Sequence, residues 1–97
     1  MTILNRSLID NFVNKHADAK QPLLAWFYEV KNAHWTCFQD IKASYSSADY
    51  VHKNKIVFNI KGNTYRLVVK VAFNSGTVFI LRIGTHAEYN KWNIKEL

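Results

Sequence analysis

The sequence predicts an α+β fold, with two or three N-terminal helices packed on a small antiparallel sheet and a short C-terminal helix. Apolar residues recur at helical spacing in the first third of the chain, and their period changes to two from Tyr50 onward. Turns rich in Gly and Asn separate the alternating segments. The 97 residues suffice for one small domain, so we expect residues 1–97 to fold as a single unit.

The residues that predict the first helix are Leu8, Ile9, Phe12 and Val13. Asn5 is a candidate N-cap for this helix, and Asp18 is one for a second helix that carries Pro22 in its first turn. The apolar stripe of the second helix consists of Leu23, Leu24, Phe27 and Val30. Residues 36–49 read as a connector whose start, capped by Thr36, can form a short third helix.

Three alternating segments predict an antiparallel meander, joined by a short strand near Tyr50. Lys61-Gly62-Asn63 and Asn74-Ser75-Gly76 are turn sequences, since Gly and Asn tolerate positive φ. In the last segment, strict alternation places Phe79, Leu81 and Ile83 on one face and Val78, Ile80 and Arg82 on the other.

One face of the predicted sheet carries large apolar side chains that the helices can cover. The other face combines small apolar residues with polar and basic ones, namely Lys55, Asn59, Arg66, Lys70 and Arg82. Such a face suits a ribose-phosphate backbone and its bases. By itself, however, it is more typical of a solvated sheet surface whose lysines keep the strands soluble.

The chain is basic, with 13 Lys and Arg against 7 Asp and Glu, and the second half carries most of the excess. A basic face on a small domain favours a nucleic acid or an acidic protein as partner. No apolar run is long enough to span a bilayer, and no signal-peptide pattern begins the sequence. One cysteine, Cys37, allows no internal disulfide, so we expect a cytoplasmic protein without membrane association.

Thr85-His86-Ala87-Glu88 has the pattern of a capping box, which gives Thr85 and Glu88 a structural role. It places His86 at the first helical position, where the positive end of the helix favours the neutral imidazole that a general base requires. Tyr89 follows on the same side of the helix. A histidine at a helix start is, however, more often a surface residue than a catalyst.

RNA cleavage without a metal requires a base for the 2′-OH, a cation for the phosphorane and an acid for the 5′-oxygen. His86 and Tyr89 are candidates for proton transfer, and Arg66 is the candidate for bidentate binding of the phosphoryl oxygens. Lys55, Lys61, Lys70 and Arg82 are candidate RNA contacts. The four histidines and one cysteine have no zinc-ligand spacing, and no cofactor motif occurs, so no metal or cofactor is predicted.

Two segments resemble the HigB family of bacterial toxins, the killer components of type II toxin–antitoxin pairs. They are Val57–Leu67, read as Val-Phe-Asn-Ile-x-Gly-Asn-x-Tyr-Arg-Leu, and Gly84–Tyr89, read as Gly-Thr-His-Ala-Glu-Tyr. The resemblance is strongest over 55–89, whereas the N-terminal helices match in length and character only. Arg66, His86 and Tyr89 match the family pattern.

The resemblance implies a RelE-like fold and an mRNA endonuclease that acts on translating ribosomes without a metal. It also implies a HigA-type antitoxin with a helix-turn-helix domain, so that operator DNA is contacted only indirectly. The alternative is a non-catalytic RNA-binding or ribosome-binding module that uses the same basic face. A plain protein-interaction domain with an acidic partner is a third interpretation.

One position departs from the family pattern. Many members carry an arginine where this chain has Leu81, and here the arginine is Arg82. A shift of one residue moves a side chain to the opposite face of a regular strand, unless a β-bulge corrects it. We therefore treat Arg82 as a candidate RNA contact rather than as a catalytic residue.

Overall fold

A mixed five-stranded sheet forms the centre of the computed structural model, which describes all 97 residues. The strands are β1 (Thr2–Leu4), β2 (Asp49–His52), β3 (Lys55–Ile60), β4 (Tyr65–Ala72) and β5 (Thr77–Thr85). They lie in the order β1-β5-β4-β3-β2, with β1 parallel to β5 and all other pairs antiparallel. The predicted meander is confirmed, whereas β1, only three residues long, was not predicted.

Four α-helices accompany the sheet, as the sequence predicted. They are α1 (Ser7–Lys15), α2 (Lys20–Lys31), α3 (Phe38–Ser44) and α4 (His86–Tyr89), with short 3₁₀ turns at Ala17–Ala19 and Ile94–Glu96. Helices and antiparallel strands occupy separate parts of the chain, so the α+β class is confirmed. None of the helices has the length and apolarity that crossing a membrane takes.

The main core lies between helices α1–α3 and one face of the sheet. It contains 18 buried residues. Among them, Trp26 meets the Phe58 ring edge to face at a centroid distance of 5.5 Å, and Trp35 stacks on it at 6.2 Å. Aromatic residues bury large apolar areas, so these contacts supply much of the stabilisation available to a small domain.

The helix caps predicted for Asn5, Asp18 and Thr36 are wrong. Arg6 occupies the N-cap position of α1, while Asn5 has a φ of 70° and donates its side-chain amide to the Ile80 carbonyl at 3.1 Å. Thr36 precedes the N-cap of α3, and its backbone N–H and hydroxyl both donate to the Asp40 carboxylate. Ala19 occupies the N-cap position of α2. Asn5 and Asp18 instead bond to partners far along the chain, because tertiary contacts compete with local capping.

Asp18 ties the helical layer to the β3–β4 hairpin. Its carboxylate accepts hydrogen bonds from the Lys61 ammonium at 2.6 Å and from the Tyr65 hydroxyl. The Tyr65 ring packs against Phe12 of α1 at a centroid distance of 5.2 Å. The hairpin is therefore held by a polar contact and an aromatic contact at the same end of the sheet.

A β-bulge at Leu81 changes which side chains of β5 share a face. Val68 pairs with Arg82 and Val69 pairs with Ile80, which leaves Leu81 as the extra residue without a partner. The strict alternation predicted for β5 is therefore wrong. Ile80 is fully buried in the main core, whereas Arg82 lies opposite Val68, on the sheet face that also carries Arg66.

The C-terminal residues cover part of the second sheet face. Ile94 is buried against Val57 and Val68, and this second cluster also includes partly buried residues of α4 and the following segment. Lys55 is buried as well, and its ammonium donates to the Lys95 carbonyl at 2.9 Å. The second face is thus neither a fully open RNA surface nor a fully solvated one.

We expect the Asp18 contacts to stabilise the fold in a pH-dependent way. The Lys61 hydrogen bond, followed by that from Tyr65, holds the pKa of Asp18 below its ordinary value of 3.8. A lowered folded-state pKa contributes stability above the unfolded-state pKa, and this stability is lost as the pH falls through the folded-state value. The stability advantage of the wild type over Asp18→Asn should therefore shrink as the pH falls below 3.8.

The measurement is urea denaturation of both proteins between about pH 5 and about pH 2. Asp10→Asn is the control, because it removes a carboxylate from an exposed pair in which Arg6 lies 3.9 Å away. A wild-type advantage over Asp18→Asn that stays constant across this range would contradict the assignment.

Candidate functional site

Arg66 is a buried cation without a carboxylate partner. Its side chain lies on the second sheet face, and only 9% of the residue is exposed. Nη1 donates to the backbone carbonyls of Asn63 at 3.0 Å and Tyr65 at 3.2 Å, whereas no hydrogen bond engages Nε or Nη2. The two ion pairs of the protein, Arg6–Asp10 and Lys61–Asp18, both lie elsewhere. Because burying an unpaired charge is costly, this arrangement is typical of a site that receives an anion.

Helix α4 begins where β5 ends, one residue after the strand position opposite Tyr65. The predicted capping box is confirmed: the Thr85 N–H donates to Glu88 Oε1 at 2.9 Å, and the Glu88 N–H donates to Thr85 Oγ1 at 3.2 Å. The hydrogen bond from the Thr85 backbone holds the pKa of Glu88 below its ordinary value. Thr85 and Glu88 therefore act as scaffold for the short helix.

The capping box positions His86 and Tyr89 differently. The His86 side chain is exposed, and its backbone N–H donates to the Thr64 carbonyl at 3.2 Å, which joins α4 to the β3–β4 hairpin. Tyr89 is half-buried, and its ring centroid lies 5.6 Å from the Arg66 guanidinium carbon. Tyr89 thus contacts Arg66 directly, whereas His86 is exposed three residues earlier in α4.

Four side chains form a continuous row of alternating contacts, which we call the arginine–aromatic row: Arg66, Tyr89, Trp92 and Arg82. Arg66 lies over the Tyr89 ring, and the Tyr89 and Trp92 rings meet edge to face at 6.0 Å. The guanidinium carbon of Arg82 lies 5.4 Å from the Trp92 ring centroid. Cation–π contacts position both guanidinium groups without neutralising their positive charge.

Trp92 was not identified from the sequence as part of the site, although the glycine at position 84 within a strand indicates that another group packs closely there. Gly84 lies directly opposite Arg66 on β5, and a Cβ added there would meet the Trp92 indole carbons at 2.5 and 2.7 Å. A glycine inside a strand often marks a site where another group approaches the backbone closely. The indole lies against the bare Gly84 backbone, between the two arginines of the row.

The remaining predicted basic residues lie outside the row. Lys61 is exposed in the hairpin turn, and its charge is paired with Asp18. Lys55 is buried under the C-terminal segment at the far end of β3, opposite Lys70 on β4. Lys70 is exposed on the same sheet face as Arg66, but four residues of extended strand separate them by roughly 13 Å.

The row can bind a phosphate and an adjacent base at the same time. Guanidinium groups bind phosphoryl oxygens through paired hydrogen bonds, and Arg66 retains unengaged donors for this purpose. Tyrosine and tryptophan rings stack on nucleobases. The arrangement therefore has the components of a site for single-stranded nucleic acid, and the Tyr89 phenol is part of it.

Comparison with known proteins places the chain among toxins. A family model described as HigB_toxin, the RelE-like toxic component of a toxin–antitoxin system, matches residues 19–92. A protein of Escherichia coli K12 named mRNA interferase toxin HigB is 28% identical over 93 residues, covering 93% of this chain and 88% of that protein. Proteins named mRNA interferase HigB from Escherichia coli O157:H7 and Shigella flexneri match with the same identity and coverage.

We expect Gly84→Ala to destabilise the protein, although alanine usually suits a strand better than glycine. The propensity gain is below about 1 kcal/mol, whereas displacing a packed indole costs about 1–3 kcal/mol. Urea denaturation should show this cost in the wild-type background and a much smaller one in Trp92→Ala, where the obstructing ring is gone. Equal costs in both backgrounds would show that the Gly84–Trp92 contact does not limit this position.

Proposed function

Because this chain belongs to the HigB family of RelE-like toxins, we propose that it is an endoribonuclease that cleaves mRNA. The observation that carries the proposal is Arg66, a buried guanidinium with unengaged donors, no carboxylate partner and an aromatic ring against it. The names of the relatives, which describe mRNA interferases, support the same activity. Cleavage on translating ribosomes and a location in the cytoplasm follow from the family resemblance.

We infer a reaction in which the ribose 2′-OH attacks the adjacent phosphorus. The P–O2′ bond forms as the P–O5′ bond breaks, which produces a 2′,3′-cyclic phosphate and a 5′-hydroxyl. Arg66 stabilises the charge on the non-bridging oxygens of the phosphorane through Nε and Nη2, the donors left free by the backbone carbonyls. A second guanidinium, Arg82, lies at the other end of the row and binds a neighbouring phosphate.

Two proton transfers accompany the attack, and His86 and Tyr89 are the candidates for them. A base accepts the 2′-OH proton, and an acid donates a proton to the departing 5′-oxygen. Tyr89 lies against Arg66, and His86 is exposed three residues earlier in the same short helix. We infer that the bound phosphate lies within reach of both side chains. Tyr89 also offers its ring to a base, so its role includes stacking as well as proton transfer.

We propose a HigA-type antitoxin with a helix-turn-helix domain as the partner that neutralises the toxin. Membership of a toxin–antitoxin family supports an antitoxin partner. In this arrangement the antitoxin contacts operator DNA, and the toxin reaches DNA only through it.

Replacing the site residues should abolish toxicity. We expect Arg66→Ala to lower cleavage by roughly 10²–10³-fold, the usual loss when a transition-state donor is removed. His86→Ala should lower it by roughly 10²–10⁴-fold if the imidazole transfers a proton. The measurement is growth after induction without antitoxin, together with mRNA cleavage in a translation reaction.

Arg6→Ala is the matched control for the arginine, because Arg6 is exposed and lies outside the site. Thermal unfolding separates loss of chemistry from loss of folding for the buried Arg66, and Arg66→Lys retains the charge without the bidentate geometry. If Arg66→Ala and His86→Ala both remain fully toxic at normal expression, the site assignment is wrong.

The chemistry of the products tests the mechanism independently. We expect cleaved fragments to end in a 2′,3′-cyclic phosphate and to begin with a 5′-hydroxyl, since the attacking group is the 2′-OH. A 2′-deoxy substitution at the cleaved nucleotide should block the reaction, and preincubating the toxin with EDTA before adding it to a translation reaction should leave it active. Fragments with 5′-phosphates, or a toxin inactivated by chelation, would refute the mechanism.

Primer extension distinguishes this enzyme from a binding module. New discrete 5′ ends on a translated message indicate cleavage. Ribosomes stalled on intact message would instead favour the non-catalytic module.

A further inference from the structure

An open groove of ≈ 430 Å³ lies between α1 and the part of β5 that β1 leaves uncovered. Strand β1 pairs with β5 only over Thr77–Phe79, so Leu81–Ile83 lie beyond its end. Helix α1 borders this stretch, and Asn5 hydrogen-bonds the Ile80 carbonyl at the boundary. The short length of β1 therefore creates a cleft along β5 instead of a continuous sheet edge.

The groove combines apolar walls with basic groups. Its apolar side chains are Leu8, Phe12, Leu81 and Ile83. Phe12 is stacked on His16 at a ring-centroid distance of 4.4 Å, which makes an aromatic pair in the groove. Asn11 of α1 adds an amide that can both donate and accept hydrogen bonds.

The charge of the groove favours an anionic ligand. Two permanent cations, Lys15 and Arg82, face a single carboxylate, Glu88. Within the capping box, the Oε1 atom of Glu88 already accepts a hydrogen bond from the Thr85 N–H. Lys15 forms no ion pair in the structure, which leaves its ammonium available to a ligand.

Arg82 joins the groove to the arginine–aromatic row. Its guanidinium lies over the Trp92 ring of the row, and its side chain also lines the groove. Arg82 lies on the face of Arg66, next to the unpaired Leu81, in the part of β5 that β1 leaves uncovered. A single-stranded RNA bound along the row can therefore continue past Arg82 into the groove.

We propose that the α1–β5 groove is a nucleotide subsite, which binds the RNA nucleotide next to the cleaved phosphate. Lys15 and Arg82 bind its phosphate, the apolar walls and the Phe12–His16 pair receive its base, and Asn11 hydrogen-bonds the base edge. The inference rests on the proposed function, since it assigns part of the substrate of the same site. Continuity with the row favours RNA over an acidic peptide.

The test maps cleavage by sequencing the 5′ ends that the toxin produces in a translation reaction. We expect Lys15→Ala to lower the cleavage rate several-fold, because one phosphate contact is lost. Asn11→Ala should change the relative use of sites that differ in the nucleotide beside the cut, because the contact to the base edge is lost. Arg66→Ala, in contrast, should lower cleavage at all sites alike.

Lys31→Ala is the matched control, because Lys31 is an exposed lysine at the C-terminal end of α2, outside the groove. Thermal unfolding of each variant confirms that the fold is retained. Cleavage by Lys15→Ala and Asn11→Ala that matches the wild type in both rate and site preference would overturn the subsite. Wild-type protein that yields no new 5′ ends would refute the proposed function itself.

Antitoxin binding provides the second readout. Both groove variants should bind the antitoxin as the wild type does, since the groove is assigned to RNA. Weakened antitoxin binding with unchanged cleavage would assign the groove to the protein partner and overturn the proposal.

Discussion

The register between β4 and β5 is the constraint on which the candidate site depends. In a regular strand Arg82 would share a face with Val78 and Ile80, so the arginine and these two core residues could not lie on opposite faces. The unpaired Leu81 absorbs one residue and places Arg82 opposite Val68, two positions from Arg66. The bulge therefore lets Arg82 lie in the arginine–aromatic row while Ile80 stays in the main core.

Its contact with an aromatic ring distinguishes Arg66 from the other buried cation of the chain, Lys55. Lys61 has Asp18, and Lys55 donates to the Lys95 carbonyl, so both form contacts within the protein. Arg66 is also buried and also donates only to backbone carbonyls, but unlike Lys55 it lies over an aromatic ring, that of Tyr89, within the arginine–aromatic row. A small domain has little stability to lose, and burying an unpaired charge is costly. A binding role for Arg66 therefore explains its burial better than a purely structural role does.

Much of the fold could be predicted from the sequence because its determinants are local. The period of two, the Lys61-Gly62-Asn63 turn and the Thr85–Glu88 capping box depend on residues close together in the chain, and all appear in the structure. The helix caps assigned to Asn5 and Asp18 failed because their side chains found distant partners. Local rules cannot predict that a side chain will hydrogen-bond a carbonyl on β5 or a lysine in a hairpin rather than the backbone N–H groups of the nearby helix.

For this protein the sequence alone determined the α+β class, the order of most elements, the resemblance to HigB toxins and three candidate catalytic side chains. Only the tertiary structure decided that Trp92 lies on Gly84, that Ile80 lies in the core instead of sharing the face of Arg82, and that Lys55 is buried. The physical reason is that periodicity records which face a residue prefers, whereas a bulge and a long-range packing contact depend on residues far apart in the chain.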